Sequence, residues 1–169
     1  MTDPALHATG YLEKYSLMNL FKGLLIDREL VGDSSGGWLA IRSHYLNGPA
    51  FGGLVGTASG FGKFLQDQLR ERSGLFNDTT RRLFYEQQQT MRGTPVSMTL
   101  GWHIGDLDGG QFFYKEGGGG GGFHCMMRLY PRDGVGTVVM TNATGSDVRK
   151  LLDTIDASFL RESHRIRVN

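Results

Sequence analysis

Six consecutive glycines, residues 117–122, stand between Lys115-Glu116 and Phe123-His124-Cys125. Each glycine loses more backbone freedom on folding than any other residue, so an ordered run is costly unless bare backbone is required. Two apolar, strand-like segments flank the run, residues 111–114 and 123–130. That placement predicts a strand whose face stays open so that another group can approach its peptide units, as in the wall of an active site. The chain holds 26 glycines in 169 residues, where an average usage of ~7% would give roughly a dozen. The excess is clustered at residues 52–62 and 109–122, so it belongs to particular loops and strand edges.

The length suits one domain with a real hydrophobic core and is cramped for two. An apolar content of 39% and a charged content of 21% are those of a globular chain. A formal net charge of +1 gives no electrostatic reason to expect nucleic acid or an anionic membrane as partner. A lone cysteine, Cys125, excludes an intrachain disulfide framework. The start, Met1-Thr2-Asp3-Pro4, lacks the basic and apolar regions of a signal peptide. No apolar stretch approaches the ~20 residues that span a bilayer. By default this reads as a soluble cytoplasmic polypeptide, with the compartment of any longer protein left open.

Periodicity predicts the elements. Leu17, Leu20, Phe21, Leu24 and Leu25 form a helical stripe within residues 16–30, and residues 38–41 read as a short strand after Gly36-Gly37. Residues 57–72 are the clearest helix, with Phe61, Phe64, Leu65 and Leu69 on one face and Thr57 or Ser59 as cap. A third helix is expected over 78–88, capped by Asn77 or Asp78. The period then changes: strands are expected at 98–104, 111–115, 123–130 and 136–142, separated by turns at 106–110 and 131–134. Residues 146–160 close the chain as an amphipathic helix with Val148, Leu151, Leu152, Ile155 and Phe159 in line. Helices, an antiparallel meander and a returning helix make an α+β fold.

Several segments carry a family resemblance when taken in order: His7-Ala8-Thr9-Gly10-Tyr11, then Gly48-Pro49-Ala50-Phe51-Gly52-Gly53-Leu54-Val55-Gly56-Thr57-Ala58, then Phe64-Leu65. Leu100-Gly101-Trp102, Lys115-Glu116-Gly117 and Val138-Val139-Met140-Thr141-Asn142 follow. Together they resemble the C-terminal portion of the serine β-lactamase and penicillin-binding-protein-like hydrolases, the superfamily of class C β-lactamases and related esterases. The resemblance implies acyl transfer by a serine in an S-x-x-K motif, a second motif with a proton-relaying tyrosine or serine, and a third, K-T-G or H-x-G, on an edge strand. Lys115-Glu116-Gly117 matches the third, with Glu116 where threonine is common. It implies Lys115 as the cation beside the nucleophile and Gly117-Gly118 as oxyanion-hole backbone, the Gly118 N–H being one donor. An acid at 116 is expected to repel an anionic substrate and so to favour esterase or peptidase chemistry over β-lactam recognition.

The nucleophile motif is absent: no serine in the chain has lysine three residues on. Ser146 has Arg149 there, and arginine stays protonated and cannot act as the base; Ser146 reads instead as a helix cap. In the family the serine and tyrosine motifs precede the segment that begins near His7. Residues 1–169 are therefore expected to be a single partial domain, by truncation, a downstream start or a split gene. The partners expected are a small ester, amide or peptide in the complete domain and a complementary N-terminal half. Without that half, an exposed sheet edge and apolar wall are expected, with marginal stability or association. Tyr45-Leu46-Asn47 lies downstream of the family's catalytic tyrosine and reads as a loop beside residues 51–53.

Other chemistries fail on spacing. Gly60-Phe61-Gly62-Lys63 lacks the spacing of a phosphate-binding loop. The five histidines have no metal-ligand spacing, and no cofactor is implied. Neighbours in a strand face opposite ways, so His124 and Cys125 cannot form a dyad. Cys125 reads as a small buried hydrophobe, and His124 as either a cleft residue or a hydrogen-bonded rim residue. The alternatives to an enzyme are an inert or partner-binding split product and a small-molecule binding module.

Overall fold

A computed structural model describes residues 6–15, 20, 27–45, 52–119 and 121–168. Contacts divide the chain into two compact units, one of residues 1–55, 116–125 and 140–148, the other of 56–115, 126–139 and 149–169.

In the first unit β1 (Gly10–Glu13), β2 (Val31–Ser35) and β3 (Trp38–Ile41) form an antiparallel sheet in the order β1-β3-β2. Gly36 and Gly37 take φ of +56° and +88°, the turn in which a two-residue hairpin follows the twist of its strands. Leu12, Leu39 and Ile41 form a small core, with Leu30 and Val31 against it. Of the helix expected over 16–30, residues 16–19 and 21–26 lie outside those described. Arg28–Leu30 is instead one 3-10 turn, capped by the Asp27 carboxylate accepting from Glu29 N at 3.1 Å. The strands β1 and β2 were not expected, because Val31-Gly32-Asp33-Ser34-Ser35 shows no apolar alternation.

The second unit holds α1 (Ala58–Leu69) and α2 (Asp78–Tyr85) and the helix α3 (Val148–Val168) from its second residue on. Thr57 Oγ1 caps α1 by accepting from Gly60 N at 3.1 Å, and Asn77 Oδ1 caps α2 by accepting from Thr80 N at 2.8 Å. Both helices end before the expected residue. Arg70 and Glu86 are extended, and the Asp67 carboxylate takes the N–H of Gly74 at 2.7 Å to hold the chain in a turn. The third helix instead runs eight residues past Leu160, and Ser163 Oγ donates to Asp133 O at 2.7 Å.

Four strands, β4 (His103–Leu107), β5 (Gly110–Gly118), β6 (His124–Tyr130) and β7 (Val135–Thr141), form an antiparallel meander in chain order. The first was expected at 98–104 and begins later. Thr99 Oγ1 accepts from Trp102 N at 3.0 Å and from Gly101 N at 3.3 Å, and a side chain bonded locally in this way competes with a ladder. Asp108 (φ +52°) and Gly109 (φ +81°) turn β4 into β5, with Asp106 Oδ1 accepting from Gly109 N at 3.0 Å. The core of this unit is Leu65, Trp102 and Leu129, surrounded by Phe64, Leu69, Tyr85, Phe113, Met127 and Val138. Beside it a buried polar network ties β6 to α3. Arg128 Nη1 donates to Asp153 at 2.7 Å and to Asp156 at 3.3 Å, and Tyr130 Oη donates to Asp156 at 2.7 Å. No described helix is long and apolar enough to cross a membrane.

Candidate functional site

The predicted site residues share one strand. Lys115, Gly117 and Gly118 are exposed near the end of β5, and Glu116 between them is half-buried. β5 continues beyond Tyr114, the last residue that pairs with β4. Parity along an extended strand then decides where each peptide group points. Gly119 N–H bonds Phe123 O at 3.3 Å, towards β6, so the N–H of Gly118 faces the opposite edge, past the end of the β4 pairing. A side chain on Gly117 would meet nothing within 4 Å. These two glycines keep backbone accessible.

Gly119, Gly121 and Gly122 have another job. Gly122 N bonds Gly119 O at 3.0 Å, closing a turn, and Gly122 O accepts from Tyr11 N at 2.9 Å. Gly119 and Gly122 have φ of +146° and +78°, where side chains are strained. A Cβ on Gly122 would lie 2.3 Å from Tyr11 N, and one on Gly10 would lie 2.0 Å from Gly121 O. The turn and β1 thus meet backbone to backbone. Asn142 closes the seam, its carbonyl accepting from Tyr11 N at 2.9 Å and its amide donating to Thr9 O at 3.0 Å. Sequence reasoning assigned the whole run to an open wall and missed this seam. The signal available was Gly10 itself, a bare residue at the head of a strand.

Glu116 departs from its expected role. Successive side chains alternate across a strand, so its carboxylate lies on the face opposite Lys115. There Oε1 meets His124 Nε2 at 2.8 Å, the two side chains being 19% and 23% exposed. His124 Nδ1 lies 2.8 Å from the carbonyl oxygen of Ser146. His124 is therefore a hydrogen-bonded residue of the sheet face, and the acid is already engaged by an imidazole. Sequence reasoning considered that carboxylate only against an anionic substrate and did not foresee its histidine partner.

Burial pushes the Cys125 thiol up, away from the thiolate that a nucleophile needs. Tyr45 is 65% exposed and stands edge-on to His7, ring centroids 5.9 Å apart; of the turn expected beside it, 51–53, Phe51 lies outside the described residues. Ser146 offers its carbonyl to His124 and to Val148 N, the latter at 3.0 Å. Among the described residues no three histidine, cysteine or acidic side chains are grouped to hold a metal ion.

An α+β chain with a meander, a returning helix and a lysine two residues before a glycine run on a partly unpaired strand has the features of a hydrolase-like domain. The family model described as Beta-lactamase matches residues 6–160. The chain belongs to the β-lactamase family, the superfamily of serine β-lactamases and penicillin-binding-protein-like proteins. Comparison with curated proteins gave no match. Comparison with solved structures gave none either.

Proposed function

We propose that this chain supplies the third-motif strand of a serine hydrolase domain that performs acyl transfer on an ester, amide or peptide. In this reading Lys115 places positive charge beside the nucleophile. The Gly118 N–H donates to the oxygen on which negative charge develops as serine attacks the carbonyl. An acyl-enzyme forms with loss of the leaving group, and water then releases the acid. The observation that carries the reading is the direction of the Gly118 N–H, towards the edge of β5 that extends past the pairing with β4. Since Glu116 is turned to His124, its charge does not choose between a neutral ester and an anionic β-lactam.

The serine must come from outside residues 1–169, because no S-x-x-K is present. By itself the chain is then catalytically inert, a partial domain that binds a complementary half. Two features support such a partner. β7 ends the four-stranded order, so among the described residues one of its edges has no named strand beside it. On α3, Leu151, Ile155 and Phe159 are exposed at successive i, i+4 positions, an apolar stripe suited to another element.

Intact mass after incubation of the folded chain with a fluorophosphonate tests the reading. The expected result is no adduct on the chain alone, and an adduct plus ester turnover once a segment bearing S-x-x-K is co-folded with it. Turnover that survives Lys115→Ala in that complex overturns the role of Lys115. A stoichiometric adduct on the isolated chain overturns the missing nucleophile.

A further inference from the structure

The lysine–threonine–glycine pattern has no acid at its middle position and assigns nothing to His124, yet this chain holds the two 2.8 Å apart. The proton count of that arrangement is constrained. Ser146 O is a carbonyl and can only accept, so His124 Nδ1 carries a proton and donates to it across 2.8 Å. Between Nε2 and Glu116 Oε1 a hydrogen bond needs one further proton, borne by the ring or by the carboxyl. The imidazole is thus tethered at both ends. One end is fixed to backbone two residues before α3, the other to the side chain between Lys115 and Gly117. His124 also lies against Gly118, where a Cβ would meet its Cδ2 at 3.1 Å. The main chain at His124 is pinned as well, since Thr141 Oγ1 donates to its carbonyl at 2.7 Å.

We infer that Glu116 and His124 form a shared-proton clamp that positions the glycine edge of β5, and that they are positioning residues for the Gly118 N–H. The backbone at Gly117 and Gly118 has no side chain to anchor it, and glycine resists fixed geometry more than any other residue. An oxyanion donor must nevertheless be held in place before reaction, because preorganisation is the source of its effect. Glu116, one residue before the glycines, supplies the anchor they lack. Threonine at 116 is too short to reach the imidazole in this way. The inference rests on reading Lys115 to Gly118 as the functional edge, but its test does not depend on turnover.

The test is long-range proton–nitrogen correlation of the histidine rings in the 15N-labelled full chain, with His124→Gln to assign the His124 signals. The expected spectrum shows Nδ1 protonated. In Glu116→Ala the Nε2 contact disappears, and the Gly119 amide, bonded to Phe123 O, exchanges about tenfold faster while that of Leu129 in the other unit is unchanged. Glu116→Gln, whose amide can either donate to Nε2 or accept from it, retains both the Nδ1 proton and slow exchange at Gly119. An unprotonated Nδ1 in the natural chain overturns the clamp. So does Gly119 exchange that stays the same in Glu116→Ala, or a Gln variant as fast as the Ala variant. Should Glu116→Ala fail to fold, the Nδ1 signal of the natural chain and the Gln variant decide. Absent turnover in a reconstituted complex with these signatures intact would count against the proposed function and leave the clamp standing.

Discussion

Two regions of this molecule are held by different means. Around Leu65, Trp102 and Leu129 the contacts are between side chains. Tyr85 sits with its ring centroid 4.9 Å from that of Phe113 and 6.1 Å from that of Trp102, and Leu129 has no exposed surface. At the glycine turn the contacts are between peptide groups, Tyr11 with Gly122 and with Asn142. A side-chain core gains apolar burial over many atoms and tolerates modest repacking. A backbone seam gains a few hydrogen bonds and tolerates no Cβ at its closest points. The difference explains why the glycines are concentrated where they are. In one place they allow close approach, and in the other they leave the edge of β5 bare.

The largest loss of stability is expected at the polar network beside the side-chain core. Asp156 is fully buried and receives both Arg128 and Tyr130. Asp156→Ala leaves Arg128, itself nearly buried, short of a partner, and is expected to cost about 3–5 kcal/mol in denaturant unfolding. A loss under 1 kcal/mol would mean the network contributes little. Next comes Gly122→Ala, which combines a positive φ with a clash against the Tyr11 backbone and should cost roughly 2–3 kcal/mol. Its signature is local. Protection of the Tyr11 amide should fall while that of Leu129 holds, and equal losses at both amides would erase the distinction between the two regions.

A smaller effect is expected at Tyr85, whose hydroxyl donates to the buried Gln68 Oε1 at 2.9 Å. Tyr85→Phe leaves that acceptor unpaired and should cost about 1–2 kcal/mol. It should also alter the alkaline limb of stability. Burial, ahead of the charge of Asp67, pushes the phenol up to about 12. Its contribution is therefore complete below the ordinary tyrosine range, near 10, and is lost as pH rises through about 12. The Phe variant should lack that part of the slope, as melting temperature against pH from 9 to 12 would reveal. At the acid end, the Ser73 hydroxyl and the Gly74 amide hold the Asp67 carboxyl below its usual range. Its contribution is present above the ordinary aspartate range and disappears as pH falls through the lowered value, and Asp67→Asn should remove that acid dependence. The smallest change expected is for Gly117→Ala. A Cβ there meets open space, so stability should move by less than about 0.5 kcal/mol, while fluorophosphonate labelling of a reconstituted complex should fall if the bare edge is what a substrate approaches.

Much of the scaffold could be read from residue order. Thr57 and Asn77 announced two helix starts, since a hydroxyl or amide before an apolar stripe satisfies the first free N–H groups. Asp108-Gly109 and Gly36-Gly37 marked tight turns because each needs positive φ. The strands β1 and β2 were hidden. Their residues have weak alternation, and their stability comes from pairing with β3 (Trp38–Ile41), which for β1 is a contact between segments distant in sequence. The β4 start was misplaced because Thr99 spends its hydroxyl on nearby N–H groups, a competition that periodicity does not register.

The sequence by itself determined the α+β class, the order of the meander, the family, and the position of Lys115 beside the glycines. Each of these depends on local pattern or spacing along the chain. Only the tertiary structure decided which glycines serve the open edge and which serve the seam, since that depends on what lies opposite each Cα. It alone gave Glu116 its partner, His124. Strand alternation sets the face a side chain occupies, but the partner waiting there is brought by β6 (His124–Tyr130), and a hydrogen bond of that kind exists only once the two strands are paired.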